Sequence, residues 1–311
     1  MKNTSHFKTL QAWIQLSRVP FHSVGVLPFF LGTLLAWKTH GLFNFQIFAI
    51  STAAVILIML CTYYTGEYSD ITEDRLSASL DRNIFSGGSQ AVIKDLVSFE
   101  HAKKASYVTC GLAVVAGLII QFYFWTGPLT IPLGVVGMFS GLLYSGMPYR
   151  WVAKGVGEVA IGICYGWLPI ATSFYLQTGE IAGIIHWMSL PVACTIFNVI
   201  LINEFPDYAA DIIVKKSNLV VRLGKEKASY LYIFMSSASI ATFFLSVRHS
   251  LDHNTFILYI PVFLVSVFLI FAMGMKKYYN KRLLEIMCGL TIVNNLGIIL
   301  VYIISIWLWG V

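Results

Sequence analysis

The chain has 311 residues and a formal net charge of +6, yet only 12% of its residues are charged while 57% are hydrophobic. A soluble domain carries about 25% charged residues, and a soluble protein of this length must still cover its surface with polar groups. The composition therefore excludes an ordinary soluble enzyme. It predicts an all-α integral membrane protein that forms a single domain over residues 1–311.

Nine mostly apolar stretches are long enough to cross a bilayer, which takes about 20 residues. In chain order they cover residues 22–40, 45–67, 106–125, 128–147, 155–176, 184–205, 229–247, 256–274 and 286–309. The first eighteen residues are polar and basic, and no small-residue cleavage site follows a short apolar stretch. We therefore expect the first stretch to be a retained span rather than a signal peptide.

The basic residues indicate how these spans are oriented. With the N-terminus in the cytoplasm, 19 of the 21 Lys and Arg residues fall in cytoplasmic segments, and only Lys38 and Arg248 fall on the opposite face. Positive charge favours the cytoplasmic side of a membrane. The asymmetry predicts nine spans with the N-terminus in the cytoplasm and the C-terminus outside. We expect the membrane to be a bacterial cytoplasmic membrane. The asymmetry also attributes the positive charge to topology and lipid contact rather than to nucleic-acid binding.

The second and sixth predicted spans end in the same acidic pattern. Each pattern has three carboxylates at relative positions 0, 3 and 7, namely Glu67, Asp70 and Asp74, then Glu204, Asp207 and Asp211. On a helix these positions fall within an arc of about 60°. Because four spans separate the motifs, both helices point the same way. This predicts two four-helix pseudo-repeats plus a ninth helix, with the two acidic stripes facing each other across a central cavity.

Six carboxylates in such a place repel one another, so a cation has to offset them. Mg²⁺ prefers oxygen ligands and bridges carboxylates to substrate phosphates, whereas the sequence contains no HExxH pair of the kind that indicates zinc. Basic residues after each motif are candidates for binding phosphate oxygens, namely Arg82 and Lys94, then Lys215, Lys216 and Arg222. The alternative is a solvated acidic helix end with basic membrane anchors.

The two acidic motifs resemble those of the UbiA superfamily of membrane prenyltransferases. That family has an NDxxDxxxD-type motif after helix two and a DxxxD-type motif after helix six. The matching positions here are Glu67, Asp70 and Asp74, then Asp207 and Asp211, with Asn203-Glu204 extending the second motif. The resemblance covers essentially the whole chain, and Arg18-Val19-Pro20 is similar to the family's basic-plus-proline entry to helix one.

Three further stretches resemble the branch of the superfamily that prenylates 1,4-dihydroxy-2-naphthoate in menaquinone synthesis. They are Tyr144-Ser145 with Pro148, then Gly155-Val156-Gly157-Glu158-Val159 with Gly166 and Tyr175-Leu176-Gln177-Thr178-Gly179, and Asn218-Leu219-Val220-Val221-Arg222-Leu223-Gly224. The chain departs from the family where the first motif begins with Gly66-Glu67 instead of Asn-Asp. The family's tyrosine-xxx-lysine feature is also imperfect, because Pro148 follows Tyr144 and the bases Arg150 and Lys154 come later.

The resemblance implies Mg²⁺-dependent transfer of a polyprenyl group from an allylic diphosphate to an aromatic acid, with loss of carbon dioxide from a dihydroxynaphthoate acceptor. It implies four catalytic acids, namely Asp70, Asp74, Asp207 and Asp211. It also implies that these four acids bind the metal together with Glu67 and Glu204. The diphosphate is expected to meet Tyr144, Arg150 and Lys154 besides Arg82, Lys94, Lys216 and Arg222. Ring faces of Tyr64, Tyr68 or Tyr144 are candidates for stabilising an allylic cation, and Glu158 for touching the acceptor.

Two alternatives stay open at the level of sequence. One is another acceptor, such as 4-hydroxybenzoate, in the same reaction. The other is a transporter with a cytoplasmic divalent-cation site, although transporters usually place ionisable groups near the middle of the membrane. The sequence does not fix the length of the prenyl chain.

Overall fold

A computed structural model describes residues 2–79, 84–85, 88–146 and 148–311. Within these ranges the chain is helical and contains no strand. The α-helices are α1 (Lys2–Leu16), α2 (Ser23–His40), α3 (Phe45–Ser69), α4 (Ile71–Ser79), α5 (Phe99–Phe122), α6 (Thr130–Ser145), α7 (Gly157–Ile161), α8 (Leu168–Thr178), α9 (Gly183–Ile213), α10 (Leu219–Ser250), α11 (Thr255–Gly274) and α12 (Lys281–Trp309). A π-helical turn, Gly162–Trp167, joins α7 to α8.

Eight helical segments in the described ranges are long and apolar enough to cross a membrane. They are Thr9–His40, Phe45–Ser69, Phe99–Phe122, Gly157–Thr178, Gly183–Ile213, Leu219–Ser250, Thr255–Gly274 and Lys281–Trp309. The apolar helix α6 lies where the fourth span was predicted, but its 16 residues are fewer than the about 20 that a span needs. The all-helical architecture is confirmed, while the count of nine spans and the pseudo-repeats remain predictions.

Helix α9 lies at the centre of the second half of the chain. It packs along α10 and α12 and against the π-helical turn. In the first half, α3 packs on α5 and α6, and α2 packs between α8 and α12. The largest buried apolar cluster combines side chains from α2 and from α8 to α12. It leaves the ends of α3 and α9, which carry the acidic motifs, outside this apolar core.

The contact between the π-helical turn and α9 requires a glycine. A Cβ atom added to Gly166 would lie 2.5 Å from the Cα of Ala193 on α9. A backbone atom cannot move away as a side-chain tip can, so only hydrogen fits at this position. Gly166 therefore sets the distance between the fifth predicted span and the helix that carries the second motif.

Amide side chains join the helices of the second half inside the apolar interior. Asn198 on α9 donates to the Ser236 hydroxyl on α10 over 2.9 Å. Asn295 on α12 donates to the Thr195 hydroxyl on α9 over the same distance. Such interhelical hydrogen bonds contribute to helix association in lipid, where apolar side chains gain little from burial against one another.

Candidate active site

A cavity of about 240 Å³ lies at the end of the bundle where α3 and α9 finish. Carboxylates from both acidic motifs line it, as do two cations and three tyrosines: Asp70, Asp74, Glu204, Asp207, Arg18, Lys216, Tyr63, Tyr144 and Tyr165. The structure thus brings four of the six predicted acids to one cavity. The other two, Glu67 and Asp211, are almost fully buried beside it.

The two motifs reach the cavity on different backbones. The first is divided, because α3 ends at Ser69 and α4 begins at Ile71. Asp70 between them has φ −104° and ψ 18°, although the Asp74 amide still donates to the Asp70 carbonyl over 2.9 Å. The second motif lies on the unbroken helix α9, which continues through Pro206. The sequence predicted a helical stripe in both cases, and a short break in the first stripe is the difference.

Lys216 interacts electrostatically with carboxylates of both acidic motifs. Its Nζ lies 3.5 Å from Oδ1 of Asp211. Burial alone would lower the pKa of Lys216, but the carboxylates around it outweigh burial and raise that pKa: Asp211, Asp70, Glu204 and Asp207. These acids come from both stripes, so a single ammonium group offsets charge from each side of the cavity.

The loop that carries Lys216 is held at both ends. The Ser217 amide donates to the Ala153 carbonyl over 3.0 Å. Asn218 donates its side-chain amide to Oδ2 of Asp211 over 2.7 Å and accepts from the Val221 amide, which caps α10. These hydrogen bonds therefore fix the backbone position of Lys216 at the edge of the cavity.

Asp74 is the acid most perturbed outside the spans. Burial, followed by repulsion from Asp70 and Glu67, raises its pKa from 3.8 to about 7. Its carboxylate lies against Gly88, which has φ +64°, and a Cβ atom there would stand 2.0 Å from Oδ2 of Asp74. Gly88 thus makes room for a motif carboxylate.

Glu67 is engaged with protein groups. Its Oε1 accepts from Nη2 of Arg18 over 2.9 Å and from the Ser89 amide over 2.5 Å. The glutamate that replaces the family's usual aspartate therefore ties the start of α2 and the Gly88-Ser89 loop to the end of α3. Its extra methylene gives the carboxylate more reach toward these partners.

Arg150 lies on the connection between α6 and α7. Of the two basic residues predicted there, it is the one that contacts acids of the site. Its Nη2 donates to Oδ1 of Asp70 over 2.7 Å and also to Oε1 of Glu73. Burial would lower the pKa of Arg150, but these two carboxylates raise it. The sequence left open whether Arg150 or Lys154 takes the role of the family's lysine, and only Arg150 makes such contacts in the described residues.

Glu158 and Glu204 bring two further carboxylates together. Glu158 is 1% exposed, and its Oε1 accepts from the Leu219 amide over 2.7 Å. Glu204 is 8% exposed and has Glu158 as an electrostatic neighbour. Oε2 of each is buried and has no hydrogen-bond partner within the described ranges. The residues that line the cavity therefore include one carboxylate, Glu204, with an oxygen that has no partner in the described ranges, and Glu158 holds a second such oxygen nearby.

The remaining predicted bases lie elsewhere. Lys94, Lys154 and Arg222 are exposed, and the Arg222 Nε donates to the Ser217 carbonyl over 2.7 Å. Arg82 lies outside the described residues.

Of the three candidate tyrosines, Tyr144 lines the cavity. Tyr64 instead shares a hydrogen bond of 2.8 Å with Ser17. Tyr68 packs its ring on Phe99, with 5.7 Å between the ring centroids.

Sequence reasoning did not place Arg18, Glu73 or Asn218 in the site. In the sequence, Arg18 stands out only because Arg18-Val19-Pro20 is similar to the UbiA family's entry to helix one. Glu73 lies between the motif acids in sequence, six residues after Glu67. It is therefore not part of the 0, 3, 7 pattern from which the site acids were predicted. Asn218 follows Lys216 and reads as an N-cap in sequence, and only the fold shows that its amide also reaches Asp211.

An apolar pocket of about 100 Å³ lies next to the polar cavity. The two share four lining residues: Thr62, Tyr144, Ile161 and Tyr165. From this junction the apolar pocket is bounded by α2, α3, α6 and the segment from α7 to α8. The site therefore has a charged compartment at the end of the bundle and a greasy one deeper inside it.

The chain matches a known protein family. The model of the UbiA prenyltransferase family matches residues 25–309, which is nearly the whole chain. The chain belongs to the UbiA prenyltransferase family. As a UbiA protein with eight candidate spans in its described part, it is an integral membrane protein.

Curated UbiA relatives are distant in sequence. One is the 1,4-dihydroxy-2-naphthoate octaprenyltransferase of Escherichia coli (strain K12), 27% identical over 81% of this chain and 82% of that protein. Another is the UbiA prenyltransferase domain-containing protein 1 of Dictyostelium discoideum, 26% identical over 49% of this chain. That second match spans 44% of the Dictyostelium protein, less than half of its length.

Solved UbiA structures share the fold. A digeranylgeranylglyceryl phosphate synthase superposes with a TM-score of 0.67 at 17% identity, covering 96% of this chain and 98% of that one. A UbiA homologue from Archaeoglobus fulgidus bound to GPP and Mg²⁺ superposes with a TM-score of 0.62 at 13% identity, covering 93% and 99%. At these identities the likeness concerns the fold alone.

The UbiA family implies a divalent cation, and the donor atoms here fit one. Mg²⁺ takes carboxylate oxygens, which both stripes present to the cavity, and Oε2 of Glu204 and Oδ1 of Asn203 are buried without partners in the described ranges. No three acids, histidines or cysteines of the described residues are already grouped around a common point. Instead, arginine and lysine side chains form ion pairs with four of the acids, namely Glu67, Asp70, Glu73 and Asp211.

Proposed function

We propose that this protein transfers a polyprenyl group from an allylic polyprenyl diphosphate to an aromatic acceptor, with 1,4-dihydroxy-2-naphthoate in menaquinone synthesis as the favoured acceptor. The observation that supports this most is the meeting of two acidic motifs and two cations at one cavity that continues into an apolar pocket. An amphipathic substrate with a diphosphate head and a long hydrocarbon tail fits such a pair of compartments. The name of the E. coli relative supports the choice of acceptor.

The carboxylates would hold the metal. Those exposed to the cavity are Asp70, Asp74, Glu204 and Asp207, with Glu67 and Asp211 behind them. When bound, Mg²⁺ supplies positive charge that stabilises a departing diphosphate. The assignment of all six acids as ligands remains a proposal.

The protein's own cations would hold the rest of the diphosphate charge. Lys216 and Arg18 line the cavity, and Arg150 stands at its rim on Asp70. Preorganised cations stabilise negative charge as it develops on the leaving oxygen, and they act more strongly in a site that excludes water. The bond to be broken joins the allylic carbon to the diphosphate oxygen, and the electron pair leaves with that oxygen.

The tail and the allylic carbon would lie toward the apolar pocket. The rings of Tyr144 and Tyr165 lie where the two compartments meet, so we expect their faces to stabilise an electron-poor carbon. The ring of Tyr63 also lines the charged compartment, but the Arg18 guanidinium lies over it, 5.7 Å from the ring centroid. Apolar walls exclude water, which protects such a carbon from hydrolysis. The aromatic acceptor would then form the new carbon–carbon bond through an electron-rich ring carbon, and the ring would lose carbon dioxide from the carboxylate of dihydroxynaphthoate, or a proton from another acceptor, to regain its aromaticity. Glu158 and Glu204 offer unsatisfied oxygens to its hydroxyl groups.

We place the acidic end of the bundle on the cytoplasmic side, with nine spans and the N-terminus in the cytoplasm. The supporting observation is the distribution of Lys and Arg, because only Lys38 and Arg248 fall at the other end in that arrangement. Prenylation of another acid such as 4-hydroxybenzoate is the second candidate for the reaction. A transporter is disfavoured, since the charged residues of the cavity lie at one end of the helices.

The test is a transfer assay with purified protein in vesicles, Mg²⁺, labelled polyprenyl diphosphates of several lengths and a panel of aromatic acids. We expect transfer to dihydroxynaphthoate, and its loss in Asp207→Asn with the helical content unchanged. Asp252→Asn is the matched control, because Asp252 is exposed and lies on the α10–α11 connection. Full activity in Asp207→Asn, or transfer without divalent metal, would count against the proposal.

A further inference from the structure

One guanidinium nitrogen serves two carboxylates at the rim of the cavity. Nη2 of Arg150 donates to Oδ1 of Asp70 and to Oε1 of Glu73. Both carboxylates are largely buried, with 16% and 11% of their side chains exposed, and the Arg150 side chain is 21% exposed. The two acids differ in place, since Asp70 lines the cavity and Glu73 is not among its lining residues.

The backbone fixes the arginine at this point. Arg150 adopts the left-handed conformation with φ 41° and ψ 65° just before the 3₁₀ turn Trp151–Ala153. Its amide donates to the Gly146 carbonyl over 3.0 Å. Because an arginine in a protein cannot lose its charge, a largely buried guanidinium needs a carboxylate or phosphate partner at all times. Its Nε is buried without a partner in the described residues.

These facts set up a competition on Asp70. A cation that takes Oδ1 of Asp70 as its ligand has to displace Arg150 from that atom. If Asp70 were the only acid in reach, displacement would leave a buried charge unpaired, and metal binding would carry that cost. Glu73 removes the cost by keeping one ion pair on Arg150 while Asp70 is used elsewhere.

We propose that Glu73 is a positioning residue that holds Arg150 when Asp70 passes to the metal, so that the guanidinium stays at the rim and is free to meet the diphosphate. The proposal rests on the function proposed above and adds a residue that the acidic motifs do not contain. Glu73 acts through Arg150 and is not itself a ligand. Its effect on metal binding therefore disappears when Arg150 is absent.

A double-mutant cycle on Glu73→Gln and Arg150→Gln tests this directly. The protein is purified in detergent, and calorimetry measures binding of Mg²⁺ alone and then of inorganic pyrophosphate with Mg²⁺. Glu73→Gln in the wild-type background should weaken Mg²⁺ binding by about tenfold. Arg150→Gln should leave Mg²⁺ binding as tight or tighter, and should weaken pyrophosphate binding by about tenfold or more. The double variant should bind Mg²⁺ like Arg150→Gln.

Three further variants make the outcome decisive. Glu73→Asp keeps the carboxylate and should recover most of the lost Mg²⁺ affinity, which a general loss of folding would not allow. Arg150→Lys keeps the charge with fewer donors and should fall between wild type and Arg150→Gln. Glu226→Gln breaks an exposed ion pair with Lys276 at 2.5 Å and should change neither affinity.

Glu73→Gln could weaken Mg²⁺ binding just as much in the Arg150→Gln background as in wild type. Glu73 would then act on the metal directly or by its charge, and the inference would be overturned while the proposed function stands. Wild-type protein that binds neither Mg²⁺ nor magnesium pyrophosphate would remove both the inference and the proposed function.

Discussion

Replacing Gly88 with alanine should separate metal binding from folding. The new Cβ atom would stand 2.0 Å from Oδ2 of Asp74, far inside van der Waals contact. The clashing atom is the end of a side chain, so Asp74 should turn away and the backbone should stay in place. Gly88 also has φ +64°, where a residue with a Cβ atom costs about 1–2 kcal/mol.

Gly41→Ala is the matched control, because Gly41 has φ +68° and nothing lies within 4 Å of its Cβ position. Both variants should lose about 1–2 kcal/mol of stability from the left-handed backbone. Only Gly88→Ala should need about tenfold more Mg²⁺ for half-maximal transfer, which corresponds to about 1.4 kcal/mol of binding free energy.

The assay is prenyl transfer against Mg²⁺ concentration in vesicles, with a thermal melt of each variant in detergent. We expect the two variants to show equal shifts in melting temperature and unequal Mg²⁺ requirements. Equal metal requirements in Gly88→Ala and Gly41→Ala would refute the view that Asp74 serves the metal through the space that Gly88 leaves.

Three other perturbations follow from the structure. Because the pKa of Asp74 is about 7 and metal binding must release its proton, apparent Mg²⁺ affinity should rise with pH, by about tenfold per unit below pH 7 and less above it; a flat calorimetric profile would contradict this. Gly166→Ala should cost about 1–3 kcal/mol by overpacking, whereas Gly117→Ala, with open space at its Cβ, should melt near wild type. Gly134 lines the apolar pocket with no atom within 4 Å of its Cβ position, so Gly134→Leu should fill the pocket and shift activity toward shorter donors; an unchanged length profile would place the tail elsewhere.

Sequence predicted the bundle because lipid imposes simple constraints. Spans have to be about 20 residues long and apolar, so composition and length were enough to locate every membrane-length helix that the structure describes. The acidic spacing also placed two carboxylate stripes at the ends of α3 and α9. The fourth predicted span, 128–147, corresponds to α6, whose 16 residues by themselves do not reach across a bilayer.

Sequence could not predict which partners each acid takes. Glu67 and Asp70 belong to the same predicted stripe, yet Glu67 forms an ion pair with Arg18 and Asp70 forms one with Arg150. Both arginines adopt left-handed backbone conformations, which a pattern of residue types does not reveal. Six bases were predicted to meet the diphosphate, and the structure describes five of them. Only the folded chain separates Lys216 and Arg150, which contact motif acids, from the exposed group of Lys94, Lys154 and Arg222.

The central claim is that both acidic motifs serve one metal and one diphosphate. Its most direct measurement is electron paramagnetic resonance of Mn²⁺ in place of Mg²⁺, with pyrophosphate bound to the purified protein. The account predicts a hyperfine coupling between manganese and phosphorus that is lost in Asp70→Asn and equally in Asp207→Asn. Manganese bound without phosphorus coupling, or a coupling that survives the loss of either aspartate, would contradict it.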